Sequence, residues 1–463
     1  MGGGTRTGRL TDVTHFFALV DVLSSSLHDR RSRPLLVGTA LLLLSCPVWA
    51  AFRSTWPLLV TASFLSGAAL LLLWRRGSLS MSEVLWGAFF LRLAFFPLLP
   101  DLTDDPFRYI WDGWLQLEGI NPYKFVPSDP ALETVQSADL YEKLNSQEYY
   151  SIYPPLSQLF FALAGLFYNG GWATAYYVLK AAFVAVEFGG VLLLARLTTA
   201  RNVLLYAWNP LVLIETAGQG HTEALLVPLL FAAMWAVRQQ RGGLASIAIA
   251  GAGLVKLYPF ALGPYLLRRF GWRAVWPGAL VVLGLSLPYA APYVIPHIKA
   301  SVDLFAELFE FNAGPYYFVK HVLWEWTGAD WSKTIGPAFR GVFLASLPVL
   351  YGLDAWRDWS FRRACLLLLG TFFVLSTTVH PWYLLPVVGL GVMGPRPSWH
   401  WLWLGLCSIG TYLFYVDGTY WVWIWIGWGG AGVLALFASP YFRGAASPTA
   451  HERGDRSPRD PRS

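Results

Sequence analysis

Apolar runs separated by short basic loops recur along most of this chain, and they constrain its fold more than any other feature. Many of these runs have the length of roughly 17–25 residues that crosses a bilayer as a helix. Backbone groups in lipid must be bonded within the protein, which favours helices. Only 13% of the 463 residues are charged, against roughly 25% in soluble domains. We therefore expect an all-α polytopic membrane protein.

The apolar pattern predicts a bundle of roughly 13 transmembrane helices. Twelve of the expected spans are 34–52, 57–74, 82–100, 172–196, 201–217, 222–238, 273–295, 334–353, 361–379, 382–395, 399–416 and 419–439. Two further runs are irregular. The run 154–167 is too short for an ordinary span, so we expect it in the membrane interface or as a re-entrant segment. The run 243–267 is interrupted by Lys256 and Pro259, which predicts two half-depth helices lining a cavity.

Loop charges predict the orientation. Arginines precede the first expected span and recur at Arg75 and Arg76, and such residues favour the cytoplasmic side. We therefore expect both termini in the cytoplasm, with an N-terminal tail over 1–33 and a membrane domain over 34–440. Residues 441–463 are polar, which predicts a disordered cytoplasmic tail. The region 101–171 then forms an external loop with interfacial helices.

The stretch Asp104–Gly113 concentrates charge directly after an expected span. Asp105 before Pro106 is typical of a helix start, with Asp105 as N-cap. Asp105, Arg108 and Asp112 then share a helix face. One interpretation is structural: Asp105 only caps, and Arg108 and Asp112 form an ordinary i,i+4 pair. The functional interpretation makes Asp105 a general base, with Asp104 in reserve and with Asp112 steadying Arg108.

The rest of the external region predicts further surface structure. Asp129 before Pro130 indicates a second amphipathic helix that ends near Asn145. Tyr123 and Tyr153 lie on either side of it and are candidates for stacking on, or hydrogen bonding to, a ligand. Aromatic residues in such loops are also common at membrane interfaces.

Polar residues at two other turns, near His221 and near His380, are expected on the same outer face, and Lys256 stands at the break within the run 243–267. Gly220, His221 and Glu223 stand where one span ends and the next begins. Backbone N–H groups at such a helix start suit a phosphate, although a tight interhelical turn explains the glycines equally well. Lys256 within an apolar run is a candidate site residue, or its side chain extends to the interface. His380 precedes a proline and two aromatic residues, and a satisfied interfacial histidine is the alternative.

Taken in order, several motifs resemble those of bacterial polyprenol-phosphate-mannose-dependent mannosyltransferases of the GT-C superfamily. The motifs read DDPFRYIWDG, GINPY, YPPL, NPLVLIETAGQGHTEAL, VKLYP and HPWYLLP. The similarity extends from about Leu91 to Pro386 and is shared, more distantly, with the catalytic subunit of the eukaryotic GPI mannosyltransferase I. It implies a GT-C-like bundle in a bacterial plasma membrane, with the active site on the outer face.

The resemblance implies an acid of the first external loop as catalytic base, which carries over to Asp105 first and Asp104 second. The relatives' D-x-D pattern is not intact, because Pro106 occupies its second acidic position. We therefore expect no cofactor; the broken pattern does not support a divalent metal, although it leaves single-base chemistry open. The implied partners are a polyprenyl-phosphate sugar donor, a glycan or glycolipid acceptor and membrane lipids, with no nucleic acid.

The expected reaction is inverting transfer of a hexose, with mannose the expected sugar. Cations would stabilise the leaving phosphate. The candidate donor-binding residues are Arg108, Asp112, Tyr123, Tyr153, Gly220, His221, Glu223, Lys256 and His380. A multispanning transporter or lipid flippase is the main alternative, since broken helices and an intramembrane lysine suit that class. A non-catalytic scaffold would leave the outer-face polar groups unexplained.

Overall fold

The computed structural model describes residues 56–438, except 78, 136–137, 170, 308 and 417–418. Every regular element among these residues is helical, as predicted, and one isolated bridge pairs Phe311 with Thr378. The expected span 34–52 and the expected tails 1–33 and 441–463 lie outside the described residues.

The first half of the described chain contains the region 101–171 that the sequence predicts as an external loop. Its α-helices are α1 (Trp56–Arg76), α2 (Met81–Phe95), α3 (Asp105–Leu117), α4 (Ala138–Tyr141), α5 (Pro155–Gly165), α6 (Trp172–Leu194), α7 (Ala200–Ala207), α8 (Pro210–Leu213) and α9 (Glu223–Arg238). A π-helical turn, Ile214–Gly218, follows α8 directly.

The second half is likewise helical, with several short helices in series. Its α-helices are α10 (Gly242–Val255), α11 (Gly263–Phe270), α12 (Trp272–Ser286), α13 (Val294–Glu307), α14 (Gly314–Thr327), α15 (Ser332–Arg357), α16 (Phe361–Val374), α17 (Leu385–Gly391), α18 (Trp399–Ser408) and α19 (Tyr420–Ala438). Short 3₁₀ turns join some of these helices.

Four helices among the described residues are long and apolar enough to cross a membrane. They are Pro57–Arg76, Trp172–Leu194, Ser332–Arg357 and Tyr420–Ala438, and two sharply bent helix pairs raise the number to six. The expected total of roughly 13 spans is not confirmed. Breaks at prolines and polar residues divide the other apolar runs into shorter helices.

The expected single span 201–217 is one of these divided runs. Helix α7 ends before Asn209, whose side chain accepts a hydrogen bond from the Leu211 N–H at 3.0 Å and starts α8. Pro210 has no N–H to continue the ladder of α7. The segment Pro210–Gly218 then meets Glu223–Arg238 at 119°, so the chain turns sharply where the predicted polar residues lie.

The predicted break near Lys256 is present. Helix α10 ends at Val255, and Lys256 adopts an extended conformation with φ −145° and ψ 142°. A 3₁₀ turn, Tyr258–Leu262, leads on to α11. The break places Lys256 between two helices rather than on a helix surface.

The predicted helix from Asp129 to Asn145 is wrong. The Asp129 side chain does accept from the Ala131 N–H at 2.9 Å, as an N-cap should. The helix that it starts is only a 3₁₀ turn, Pro130–Leu132, and the four-residue α4 follows later. Thr134 and Val135 follow one residue after the turn, and β-branched residues are weak helix formers.

Helices α3 and α5 approach each other at backbone contact. A Cβ on Gly113 would overlap the Phe161 carbonyl oxygen, and a Cβ on Gly165 would lie 2.5 Å from the Gly113 carbonyl oxygen. Only glycine permits so close an approach. This contact fixes α3, which carries the predicted catalytic acids, against α5.

A buried ion pair links α2 to α6. The Arg92 guanidinium donates to both carboxylate oxygens of Glu187, at 2.5 and 2.7 Å. Arg92 also donates to the carbonyl oxygens of Ala88 and Ala207. Glu187, an acid inside a predicted span, is therefore a structural partner of Arg92.

Candidate active site

Helix α3 begins one residue earlier than the capping pattern predicts. Asp104 occupies the N-cap position, without a side-chain cap bond, and Asp105 is the first helical residue. The prediction of Asp105 as N-cap is therefore wrong, because the N-cap backbone position falls to Asp104. The Asp105 carboxylate instead accepts a hydrogen bond from the Tyr109 hydroxyl at 3.4 Å, one turn along α3.

The surroundings of Asp105 set its protonation. Burial raises the pKa of the Asp105 carboxyl above its ordinary value, and the nearby Glu223 raises it further. His221 and Lys256 act in the opposite direction, and so does the hydrogen bond from Tyr109. A carboxyl group with a raised pKa holds a proton more tightly, which suits a general base.

The π-helical turn Ile214–Gly218 is bound to the segment that precedes α3. The Gln219 side-chain oxygen accepts from the Leu102 N–H at 3.0 Å. The Lys180 ammonium donates to the Leu98 carbonyl oxygen and, at 3.3 Å, to that of Gly218. Lys180 and Gln219 thus hold the start of α3 and the His221 turn together.

Gly220 has the backbone conformation that its turn requires. Its φ is +76°, and a Cβ there would lie 3.4 Å from the Tyr176 ring. The N–H groups of Gly220 and His221 donate to the carbonyl oxygens of Thr216 and Glu215, at 3.1 and 3.0 Å. These two N–H groups are therefore already used within the turn, so we do not assign a phosphate to them.

His221 is held by contacts on its edge and on its face. Its Nδ1 atom lies 3.0 Å from the Glu215 carboxylate, which also accepts hydrogen bonds from the Tyr412 hydroxyl at 2.8 and 2.9 Å. The His221 ring stacks on Trp382 with centroids 3.9 Å apart. His221, Glu215 and Tyr412 are all buried.

The stack continues through the predicted histidine His380. Its ring lies parallel to Trp382 at a centroid distance of 4.4 Å, and Phe311 covers the ring at 4.7 Å. Burial lowers the pKa of His380 to about 3, and the neighbouring Lys256 and His221 lower it too. His380 is therefore neutral at physiological pH, which removes it as a cation for a phosphate.

Lys256 forms an ion pair with Glu223 at the break after α10. Its ammonium also lies over the Tyr383 ring, 4.1 Å from the centroid. The Glu223 side chain is fully buried, whereas that of Lys256 is 16% exposed. Lys256 therefore offers a positive charge beside Asp105 that a ligand can reach.

Several buried polar atoms around these residues are free to meet a ligand. Those without a hydrogen-bond partner in the described part of the chain include His221 Nε2, Glu223 Oε2, Tyr258 Oη and His380 Nδ1. Unpaired buried polar groups are costly. Their concentration near Asp105 is the pattern expected of a site for a ligand with several hydroxyl groups or charges.

Arg108 and Asp112 form a network of their own. Arg108 Nε donates to Asp112 Oδ1 at 2.8 Å, so the predicted pair is present. The other Asp112 oxygen accepts from Ser151 at 2.5 Å and from Gln158 at 2.9 Å. Arg108 Nη1 donates to the Tyr149 carbonyl oxygen at 2.9 Å. The pair thus fixes the segment around Tyr149 and Ser151 against α3 and α5.

The two predicted aromatic residues contact each other, and Tyr153 lies close to both this network and Asp105. The Tyr123 hydroxyl donates to the Tyr153 carbonyl oxygen at 2.5 Å. The Tyr153 ring packs edge-on against Tyr109 at 5.0 Å. Burial raises the pKa of the Tyr153 hydroxyl well above its ordinary value, and the charge of Asp105 adds to this rise. Tyr153 therefore remains a neutral hydrogen-bonding group near the acid.

The structure brings Asp105, Glu223, His221, Lys256 and His380 into one region. Asp104, Arg108, Asp112, Tyr123, Tyr153 and Gly220 border it. The sequence patterns did not identify three residues of this region: Lys180, Glu215 and Tyr412. Lys180 and Glu215 are charged residues within apolar runs, the signal that singled out Lys256. Nothing in the sequence around Tyr412 distinguishes it from the other aromatic residues.

The described residues contain no group of three or more His, Cys, Asp or Glu side chains that could hold a metal ion. Of the acids in this region, Glu215 contacts His221 and Glu223 pairs with Lys256. The donor set therefore gives no metal site to assign here.

The chain matches a family model described as "Alpha-(1->6)-mannopyranosyltransferase, N-terminal domain" over residues 22–268. This match covers more than half of the sequence and includes Asp105, His221, Glu223 and Lys256. The protein is a glycosyltransferase. It belongs to this mannosyltransferase family, which confirms the resemblance to the GT-C mannosyltransferases. Neither a curated protein nor a solved structure matches the chain.

Proposed function

We propose that this protein transfers a mannosyl group from a polyprenyl-phosphate donor to a hydroxyl of a glycan or lipid acceptor, with Asp105 as the general base. The observation that carries the proposal is the convergence of Asp105 and the partly exposed cation Lys256 in a region with several unpaired polar atoms. A base for the nucleophile and a cation for the leaving group are the two charges that such a transfer needs.

The reaction is a single displacement. Asp105 takes the proton of the acceptor hydroxyl as its oxygen attacks the anomeric carbon of the donor sugar. The bond between that carbon and the phosphate oxygen breaks, and its electron pair leaves with the polyprenyl phosphate. Attack opposite the leaving group inverts the anomeric carbon, so a β-linked donor gives the α linkage that the family description states.

Lys256 is the residue that we assign to the phosphate. Negative charge grows on the phosphate as its bond to the sugar breaks, and a fixed cation stabilises it. His380 is neutral, because burial lowers its pKa to about 3. Arg108 is already bonded to Asp112 and to the external loop. When the phosphate binds, it competes with Glu223 for the Lys256 ammonium.

A lipid donor also fits the sequence and the helices. The described chain has four to six helices long and apolar enough to cross a membrane, and a donor in the bilayer can reach a cavity between helices laterally. The loop charges support an active site on the outer face of a bacterial plasma membrane. The acceptor would then be a glycan or glycolipid of the cell envelope.

The donor class can be tested with the purified full-length protein in lipid nanodiscs. Polyprenyl-phosphate mannose and GDP-mannose, each radiolabelled in the sugar, are compared with the same envelope glycolipid extract. We expect label in the acceptor only from the lipid donor, with an α linkage in the product. Transfer from GDP-mannose alone, or a β-linked product from a β-linked donor, would contradict the proposal. The family match supports glycosyl transfer and gives no support to the transporter or flippase alternative.

A further inference from the structure

We infer that Glu215 and Tyr412 are positioning residues that hold His221 in its Nδ1–H tautomer, so that His221 Nε2 accepts a hydrogen bond from a substrate sugar hydroxyl. The hydroxyl is one other than that deprotonated by Asp105, since a single hydroxyl has only one proton to donate. The inference rests on the proposed glycosyl transfer for its substrate, but the state of the ring is a property of the protein alone.

The contacts of Nδ1 decide where the ring proton lies. This nitrogen is 3.0 Å from the Glu215 carboxylate and 3.3 Å from the backbone carbonyl oxygen of the same residue. A carbonyl oxygen can only accept a hydrogen bond, so Nδ1 must be the donor. In a neutral imidazole the other nitrogen is then an acceptor.

Tyr412 holds in place the Glu215 carboxylate, which accepts the hydrogen bond from His221 Nδ1. Its hydroxyl lies 2.8 and 2.9 Å from the two Glu215 oxygens, and both side chains are buried. Glu215 itself lies in the π-helical turn, and such turns are frequent at functional sites. Tyr412 and His221, which are far apart in the sequence, therefore both contact the Glu215 carboxylate. Each contact restricts the rotation of that carboxylate.

The orientation of the His221 ring leaves Nε2 available to accept a hydrogen bond from a ligand. Stacking on Trp382, with an interplanar angle of 13°, fixes the plane of the ring. Nε2 is buried and has no partner among the described residues. Burial lowers the pKa of His221 to about 4, and the charge of the nearby Asp105 acts against this. Nε2 thus belongs to the same polar region as the proposed base.

An unprotonated Nε2 selects for a particular chemistry. Its lone pair attracts a hydroxyl proton and repels the oxygen atoms of a phosphate. His221 therefore binds the sugar part of a substrate, whereas Lys256 binds the phosphate. A site that accepts a hydroxyl proton also discriminates strongly against substrates that lack that hydroxyl, because the buried acceptor is then unpaired.

The first test is spectroscopic and needs no turnover. Full-length protein labelled with ¹⁵N-histidine is studied in nanodiscs, and His221→Gln identifies the His221 signals. We expect wild-type His221 to carry its proton on Nδ1 and to have an unprotonated Nε2 at neutral pH. Glu215→Gln should increase the fraction with Nε2 protonated, because a neutral amide accepts the Nδ1 proton more weakly than a carboxylate does and the remaining contact to the backbone carbonyl is longer, at 3.3 Å. A wild-type ring protonated at Nε2 would overturn the inference.

The second test is a double-mutant cycle on turnover. Glu215→Gln should lower kcat by about 100-fold or more, since a change of histidine tautomer in a serine protease costs roughly 10⁴ in kcat. Tyr412→Phe should lower kcat less, because Nδ1 keeps its acceptor. In the His221→Gln background, Glu215→Gln should lower kcat by no more than about 3-fold. Circular dichroism and size-exclusion profiles check that each variant is folded.

Two results of the cycle would overturn the inference: full kcat in Glu215→Gln, or an equal loss with and without His221. The latter would mean that Glu215 has only a structural role. Failure of the proposed function is a separate outcome. If the wild type transfers no sugar from any lipid phosphate, the proposed function is wrong, whereas the proton position on His221 is read from the spectra independently.

Discussion

Lys256 and Glu223 form an ion pair that joins the end of α10 to the start of α9. The pair is asymmetric, because the glutamate is buried while the lysine can still be reached. In the proposed reaction, the donor phosphate can therefore reach the Lys256 ammonium. The pair keeps the cation in place when the site is empty.

Replacement of this cation should impair the use of the donor. We expect Lys256→Met to lower kcat/KM for the lipid donor by about 100-fold, the scale of losing one group that stabilises developing negative charge. The measurement is initial transfer rate against donor concentration. Lys299→Met is the matched control, because Lys299 also pairs with an acid, Asp303, but on an exposed surface. Equal effects of the two substitutions would contradict the role of Lys256.

The pH dependence of transfer should report Asp105. A general base must be ionised, so the rate should rise with pH through the raised pKa of Asp105. The acid limb of kcat/KM should therefore lie above the ordinary aspartate value of about 3.9. The hydrogen bond from Tyr109 lowers this pKa, whereas Glu223 raises it. Tyr109→Phe should shift the limb to higher pH and Glu223→Gln to lower pH.

If both variants shift the acid limb in the same direction, or if neither variant shifts it, a group other than Asp105 is being titrated. The His380 ring should contribute no limb near neutral pH, since its pKa lies at about 3. His380→Gln separates these cases, because it leaves the Asp105 limb in place even if the overall rate falls.

The contact between α3 and α5 should not tolerate a side chain. Gly113→Ala would place a methyl group against the Phe161 carbonyl oxygen, and we expect a loss of about 3 kcal/mol in the free energy of unfolding. Thermal unfolding in detergent measures the loss. Gly189→Ala is the control, since a Cβ there meets no atom within 4 Å. Equal melting temperatures for the two variants would mean that α3 and α5 are further apart.

Removal of one partner of the buried Arg92–Glu187 pair should destabilise the protein more than removal of both partners. Glu187→Met leaves the Arg92 charge without its carboxylate, which costs about 3–5 kcal/mol for a buried pair. The double variant Arg92→Met with Glu187→Met should recover a large part of this loss, because no unpaired charge remains. Melting temperatures of the single and double variants decide the point. A loss of stability in the double variant equal to the sum of the two single losses would contradict this expectation.

The sequence predicted those parts of this molecule that depend on local chemistry. The helix after Asp105, the break at Lys256 and the pair of Arg108 with Asp112 all follow from side chains close in the chain. It did not predict the division of 201–217 or the short elements after Asp129. There, a proline after Asn209 and β-branched residues after Leu132 outweigh an apolar or amphipathic pattern.

Long-range contacts explain the residues that were missed. Tyr412 reaches Glu215 across nearly 200 positions, and Trp382 stacks on His221 from a distant 3₁₀ turn. No local spacing encodes such pairs. Lys180 and Glu215 carried a usable signal, since a charged residue in an apolar run needs a partner, but their partners are known only from the folded chain.

The central claim is that Asp105 is the base for mannosyl transfer, and one comparison tests it most directly. Wild type, Asp105→Asn and Asp104→Asn are assayed in nanodiscs with radiolabelled polyprenyl-phosphate mannose and a cell-envelope glycolipid extract. We predict transfer by the wild type, a fall of about 1,000-fold in Asp105→Asn, within the range for a general base, and a fall of less than about 10-fold in Asp104→Asn. Full activity of folded Asp105→Asn, or a larger loss in Asp104→Asn, would contradict the claim.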